Sequence, residues 1–264
     1  MSAPRTRIAA ALLAALALAG PVVLSAQDAE PWRSVLKLGV GLEYFTRTLV
    51  WDADSRSSPL AAGFAVARLD TELLKGFTLG ACLGYGLSSF NGLIFRALPF
   101  SLDYEAGSSG SFLAGIGAEA MLIKAGDFEI GILGRYVLSL GGTRTLAVPD
   151  LNASGSAGAK ATWMRIQAGP VLRYTGYQDF APFVALTYDR LWGTFTMTET
   201  VQELTGTEDK AIAGAGSIGA LGGFVYEPAP GFSLRAEIGV IPYSKLAGGL
   251  GFDFSGSLKA VLAF

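Results

Sequence analysis

Residues 249–264, GLGFDFSGSLKAVLAF, constrain the fold more than any other stretch of this chain. Leu250, Phe252, Phe254, Leu258, Leu262 and Phe264 alternate with Gly251, Asp253, Ser255, Ser257 and Lys259. A period of two marks a strand with two unlike faces. The stretch is longer than most strands of soluble sheets, and no polar cap follows it. It suits a transmembrane β-barrel, in which each tilted strand needs about 9–11 residues to cross the apolar layer.

The same alternation recurs upstream. Strands are expected over 34–48, 60–69, 77–88, 111–123, 128–140, 162–174, 181–195, 216–226 and 232–241, which with the last stretch makes ten. The third is the clearest, with Phe77, Leu79, Leu83, Tyr85 and Leu87 set against Thr78, Gly80, Cys82, Gly84, Gly86 and Ser88. In 60–69 the pattern blurs, and Phe64 and Val66 are read as facing outward. The connections alternate between tight turns (70–76, 124–127, 175–180, 227–231) and long segments (49–59, 90–110, 141–161, 196–215, 242–248). A barrel with short periplasmic turns and long outer loops has this parity, and a soluble sandwich has no reason for it. The expected fold is therefore all-β: a transmembrane antiparallel up-and-down β-barrel of ten strands, with eight as the alternative.

Hydrophobic residues make up 51% of the chain and charged residues 16%, so the apolarity is spread one residue in two rather than gathered into spans. The one exception is at the start. Arg5 and Arg7, the apolar run over 8–19 and Ser25-Ala26 read as a signal peptide over 1–26, leaving 27–264 as the barrel. Without the leader there are 18 basic against 22 acidic residues, which gives no general attraction to nucleic acid. The single Cys82 excludes an intramolecular disulfide, and the absence of histidine excludes a Cys/His metal cluster. No metal or other cofactor is expected.

Aromatic residues collect near the strand ends. Tyr44, Phe45, Trp51, Tyr85, Phe90, Trp163, Trp192 and Phe195 are expected to form an outer girdle. Phe77, Phe128, Tyr174, Phe180, Tyr226, Phe232 and Phe264 are expected to form an inner one.

The terminal Phe264 and the strand pattern together resemble small bacterial outer-membrane barrels of the OmpA-like and omptin-like size class, over the whole mature chain. The resemblance implies the bacterial outer membrane, its lipid, and an insertion machinery that reads the C-terminal strand. It is one of architecture and assigns no catalytic residue. Omptin proteases use an Asp–His pair, and the phospholipase, deacylase and palmitoyl transferase barrels also depend on a histidine. None of these can be assembled here, so no enzyme activity is expected.

The inward faces carry the expected site. Lys37, Arg47, Arg135, Arg165, Arg173, Arg235 and Lys259 stand against Glu43, Glu119, Glu129, Asp189, Glu237 and Asp253. A narrow ten-stranded lumen must pair such charges or keep them wet. The leading expectation is a charge-plugged barrel with a structural or surface-interaction role. The alternatives are a small channel for ions or small solutes, tuned by those charges, and an uptake barrel for hydrophobic ligands. The segment after Phe195, with Glu199, Glu203, Glu208 and Asp209, reads as an acidic outer loop that could meet an extracellular ligand. Gly214-Ala215-Gly216-Ser217-Ile218-Gly219 spells GxGxxG but precedes a strand instead of opening a helix, so it reads as a Gly-rich entry into the barrel.

Overall fold

A computed structural model describes residues 35–51, 56–95, 102–147, 155–245 and 248–264. The expected leader lies outside them. Alternation converts into strands throughout: β1 (Val35–Trp51), β2 (Arg56–Leu74), β3 (Phe77–Phe95), β4 (Leu102–Ala125), β5 (Phe128–Gly141), β6 (Arg144–Ala147), β7 (Gly155–Tyr174), β8 (Phe180–Val201), β9 (Leu204–Gly214), β10 (Ile218–Ala229), β11 (Phe232–Ser244) and β12 (Leu250–Ala263). Ten of them close into a ring in the order β1-β2-β3-β4-β5-β7-β8-β10-β11-β12, all antiparallel. The ring shuts where β12 pairs β1, from Lys37↔Ala263 to Phe45↔Ser255. A closed ring leaves no unpaired edge in the apolar layer, which is the condition for strands to cross it.

Outside the ring the apolar set is bare. Val40 is 65% exposed, Leu83 58%, Ile116 62%, Val184 58% and Ile238 73%. A continuous belt of this kind is tolerable only against lipid. It is bounded on the turn side by Phe128, Tyr174, Tyr177, Phe180 and Phe224, whose neighbouring rings are 5.1–6.2 Å apart. Phe264 ends there too, exposed, with its N–H donated to the Leu36 carbonyl at 2.9 Å.

The strands run past the belt on the long-loop side. There β8 turns back at Gln202-Glu203 into β9, which pairs β8 along its length and then meets β1 at Leu49–Trp51. The expected loop after Phe195 is thus a β-hairpin, and β6 adds a short strand to the upper part of β7. Together they form a collar above the ring. The GxGxxG segment is the bend by which the chain leaves this collar and enters the ring as β10. Gly216 takes φ 85°, which only glycine adopts without strain, and its carbonyl accepts the Arg47 guanidinium at 2.9 Å.

The register of β2 is the reverse of the expectation. Phe64 and Val66 are 3% exposed and point into the lumen, while Ala65, Ala67 and Leu69 face out. The cause is that β2 has apolar residues on both faces at this level, so hydrophobicity alone cannot orient it. Its charged residues do: Arg68, Asp70 and Glu72 recur at every second position, and the Arg68–Asp70 pair lines the lumen at 2.9 Å.

Candidate functional site: the lumen and its collar

Three layers fill the lumen. The first, toward the turns, is a charge network centred on Glu237 of β11 and Glu119 of β4. Glu237 accepts the two Arg135 Nη groups, each at 2.5 Å, Arg235 Nε at 2.5 Å and the Ser257 hydroxyl at 3.0 Å, with Lys259 Nζ at 3.5 Å. Glu119 accepts Arg235 at 2.7 Å and is bonded to Arg173, which also lies 3.9 Å from Glu129. Lys259 reaches Glu43 at 3.8 Å, and Lys37 sits 4.0 Å from Glu72. Because β4 and β11 are five steps apart around a ring of ten, the Arg235–Glu119 bond spans the barrel's diameter. Below this network a cavity of about 310 Å³ is bordered by Lys37, Arg68, Arg135 and Arg173 near the turn Gly76.

The second layer is smaller. Asp189 accepts Arg165 through Nε at 2.9 Å and Nη2 at 2.5 Å, and Gln167 at 3.4 Å. Arg47, whose side chain is wholly buried, lies 3.7 Å from Asp189 and 4.0 Å from Asp253. Asp253 in turn accepts the backbone N–H and hydroxyl of Thr48 at 2.9 and 3.0 Å. Every expected lumen charge therefore faces inward, and the geometry sorts them into these two groups. Arg68, Asp70 and Glu72 join the first group, which the misread register of β2 had hidden.

The third layer is apolar and had no counterpart in the sequence reading. Trp163, Leu49, Leu60 and Leu191 are 0% exposed, and Leu113, Phe90, Phe195, Met197 and Ile212 are packed with them. Trp163 of β7 meets Phe45 of β1 edge-on with ring centroids 5.2 Å apart, and those strands are again diametrically opposed. Phe64 closes on the same indole at 6.0 Å, and Phe90 meets Phe195 at 5.2 Å. Gly193, opposite Trp163, makes room for it: a Cβ there would lie 2.7 Å from the Trp163 Cα.

Five residues expected in the outer girdle, Phe45, Trp51, Phe90, Trp163 and Phe195, thus fill the lumen instead. Strand-end position is shared by the two faces of a strand, and only parity separates a girdle residue from a plug residue. Tyr44, Tyr85 and Trp192 do face outward, joined by Phe112, Tyr136 and Tyr188.

In the collar, Glu208 and Lys210 pair at 2.7 Å, and Lys210 also lies 5.0 Å from the centre of the Trp51 ring. Glu203 and Asp209 are exposed, the first at the hairpin turn. Glu199 is not part of an exposed acidic surface. It is 0% exposed, between Ala157 on β7 and Gly206 on β9, and neither carboxylate oxygen has a hydrogen-bond partner among the described residues. Burial, and then the nearby Glu208, push its pKa above the ordinary glutamate value of 4.5. The folded state then holds the proton more tightly than the unfolded chain. Stability contributed by Glu199 is full below pH 4.5 and is lost as pH rises through the folded value. Replacing it by a neutral side chain of similar length, Glu199→Met, is expected to stabilise the protein at pH 8 by about 1–2 kcal/mol. That gap should shrink in denaturant titrations below pH 4.5, and a constant gap would mean that Glu199 is not charged at pH 8.

Among the described residues no group of three or more Cys, Asp or Glu side chains converges as a metal site would. No protein-family model matches the chain, and no curated protein matches it in sequence. Solved structures do match in fold. The outer-membrane protease OmpT of Escherichia coli aligns at 12% identity over 91% of this chain and 99% of its own, with a TM-score of 0.55. The translocator domain of the Neisseria meningitidis autotransporter NalP aligns at 14% identity over 98% of both chains, with a TM-score of 0.49. At such identities the likeness concerns architecture alone. With the closed ring, the bare apolar belt and the inward charges, the likeness to OmpT gives this chain the fold of a bacterial outer-membrane β-barrel, whose bilayer-spanning part is a ring of ten antiparallel strands.

Proposed function

We propose that this barrel does not conduct and is not an enzyme, and that it acts at the cell surface through its collar. The observation that carries the reading is the apolar contact of Phe45 and Phe64 with Trp163 across the full width of the lumen. An ion crossing that layer would shed its hydration with only a few buried hydroxyls, Ser88, Ser111 and Ser139, to replace it. The charges beneath are bonded to one another rather than lining an open path, which favours rigidity over selectivity. The absence of histidine removes the usual general base of barrel hydrolases. What remains is the hairpin of β8 and β9 with the upper strands around it, a folded platform for an extracellular ligand. On this reading the C-terminal strand ending at Phe264 would be the segment that the insertion machinery recognises.

Planar-bilayer recording of the refolded mature chain tests this reading. Background current is expected from protein whose folding has been verified by heat-modifiable gel mobility. Reproducible single-channel steps would overturn it and favour the small-channel alternative.

A further inference from the structure

A notch of about 520 Å³ lies on the outer wall rather than in the lumen, just above the outward aromatic residues Tyr85 and Phe112. It exists because β4 and β5 stop pairing at Ser111↔Gly141. Beyond that point β4 continues against β3 alone, and β6 continues against β7. Gly110 and Gly142, joined by one backbone hydrogen bond of 2.8 Å, form a floor without side chains. The Tyr85 hydroxyl lies over Gly110, in the space a Cβ would need. Leu140, 46% exposed, and Phe112, 47% exposed, continue the notch down onto the lipid-facing belt. At its upper edge the Arg144 guanidinium donates to the Ser108 carbonyl at 2.7 Å, and the Ser109 hydroxyl donates to the Gly142 carbonyl at 3.1 Å. Arg144 has no carboxylate partner among the described residues.

The lining changes character with height: apolar at the level of the acyl chains, hydroxylic and cationic one step above the aromatic belt. That is where the phosphates of the outer leaflet lie. Two more exposed cations face outward on neighbouring strands, Lys160 between buried Ala159 and Ala161 and Arg190 between buried Asp189 and Leu191. A planar guanidinium beside hydroxyl donors binds phosphate through paired charge-assisted hydrogen bonds.

We propose that the notch seats a phosphorylated lipid of the outer leaflet, its phosphate on Arg144 and an acyl chain along Phe112 and Leu140. The site is independent of whether the lumen conducts, since its lining residues lie on the lipid face and along the β4/β6 gap. Bound lipid would also cover the gap between β4 and β6, where the wall is held by few hydrogen bonds.

Native mass spectrometry of the mature chain in detergent micelles tests the site, with bisphosphorylated lipid A, its dephosphorylated form and inorganic phosphate as separate probes. The wild type is expected to prefer the bisphosphorylated lipid by about tenfold or more, the range of a charge-assisted contact. Arg144→Gln should remove that preference, and Gly142→Val, which fills the notch without touching its charge, should weaken both lipids. Lys75→Gln, in the turn at the other end of the barrel, should change nothing. Heat-modifiable gel mobility establishes that each variant is folded. Equal binding of the two lipids, a preference kept by Arg144→Gln, wild-type binding by Gly142→Val, or inorganic phosphate binding as tightly as the lipid would each overturn the proposal.

Discussion

Glu237→Gln is expected to lower the stability of the refolded barrel by about 3–5 kcal/mol, the usual cost of removing one partner from a buried ion network. Glu237 is 4% exposed and is bonded to Arg135 and Arg235, with Lys259 at 3.5 Å. Its loss leaves Arg135 without a carboxylate partner among the described residues, while Arg235 keeps Glu119 at 2.7 Å and Lys259 keeps Glu43 at 3.8 Å. The amide can accept one or two of the same hydrogen bonds but carries no charge. A second variant separates charge balance from packing. Arg135→Met added to Glu237→Gln removes the stranded cation and should recover part of the loss. Urea titration of protein in lipid vesicles, read by the fraction that keeps its folded gel mobility, gives both values. If Glu237→Gln were as stable as the wild type, the network would be ornamental and the lumen wetter than its distances imply.

Much of this arrangement was legible in the residues, for a definite reason. Where one face of a strand is apolar and the other charged, as with Arg235 and Glu237 on β11 or Asp253 and Lys259 on β12, parity alone assigns inside and outside. The pairing of those charges was not legible. Arg235 and Glu119 stand 116 positions apart, and what brings them together is the stagger of strands around a closed ring. Where both faces are apolar, parity loses its meaning. The blurred alternation of 60–69 leaves Phe64 and Val66 reading as outward, yet the loop half of the lumen is packed with apolar side chains such as Leu49, Leu60, Trp163 and Leu191. The repeat of Arg68, Asp70 and Glu72 held the corrective signal, since three charges on one parity cannot all face lipid without large cost. The same misreading moved Phe45 and Trp163 to a girdle. Glu199 shows a further limit: acidic composition suggested a solvated loop, whereas its strand continues from the ring and carries it inside the collar.

The apolar layer should be the other costly place to cut. Trp163→Ala is expected to destabilise the barrel by about 3–5 kcal/mol, since a fully buried aromatic side chain is lost and the strands around it cannot collapse. Collapse is blocked by the ring itself, whose diameter is fixed by strand number and stagger and not by the side chains within. Trp163→Phe is the informative companion. The indole N–H is buried without a hydrogen-bond partner among the described residues, so deleting it forfeits no bond and removes an unsatisfied donor. The phenyl ring keeps most of the contact with Phe45 and Phe64, and its cost should stay within about 1.5 kcal/mol. A large loss for Trp163→Phe would mean that the indole nitrogen has a partner, such as a trapped water, and that the layer is not dry. Loss in the alanine variant without loss in the phenylalanine variant identifies cross-lumen packing as what closes this end of the barrel. Conductance offers an independent reading of the same cut. With Leu49, Leu60 and Leu191 still in place, Trp163→Ala should remain silent in a bilayer even though it is less stable, because the layer is several residues deep.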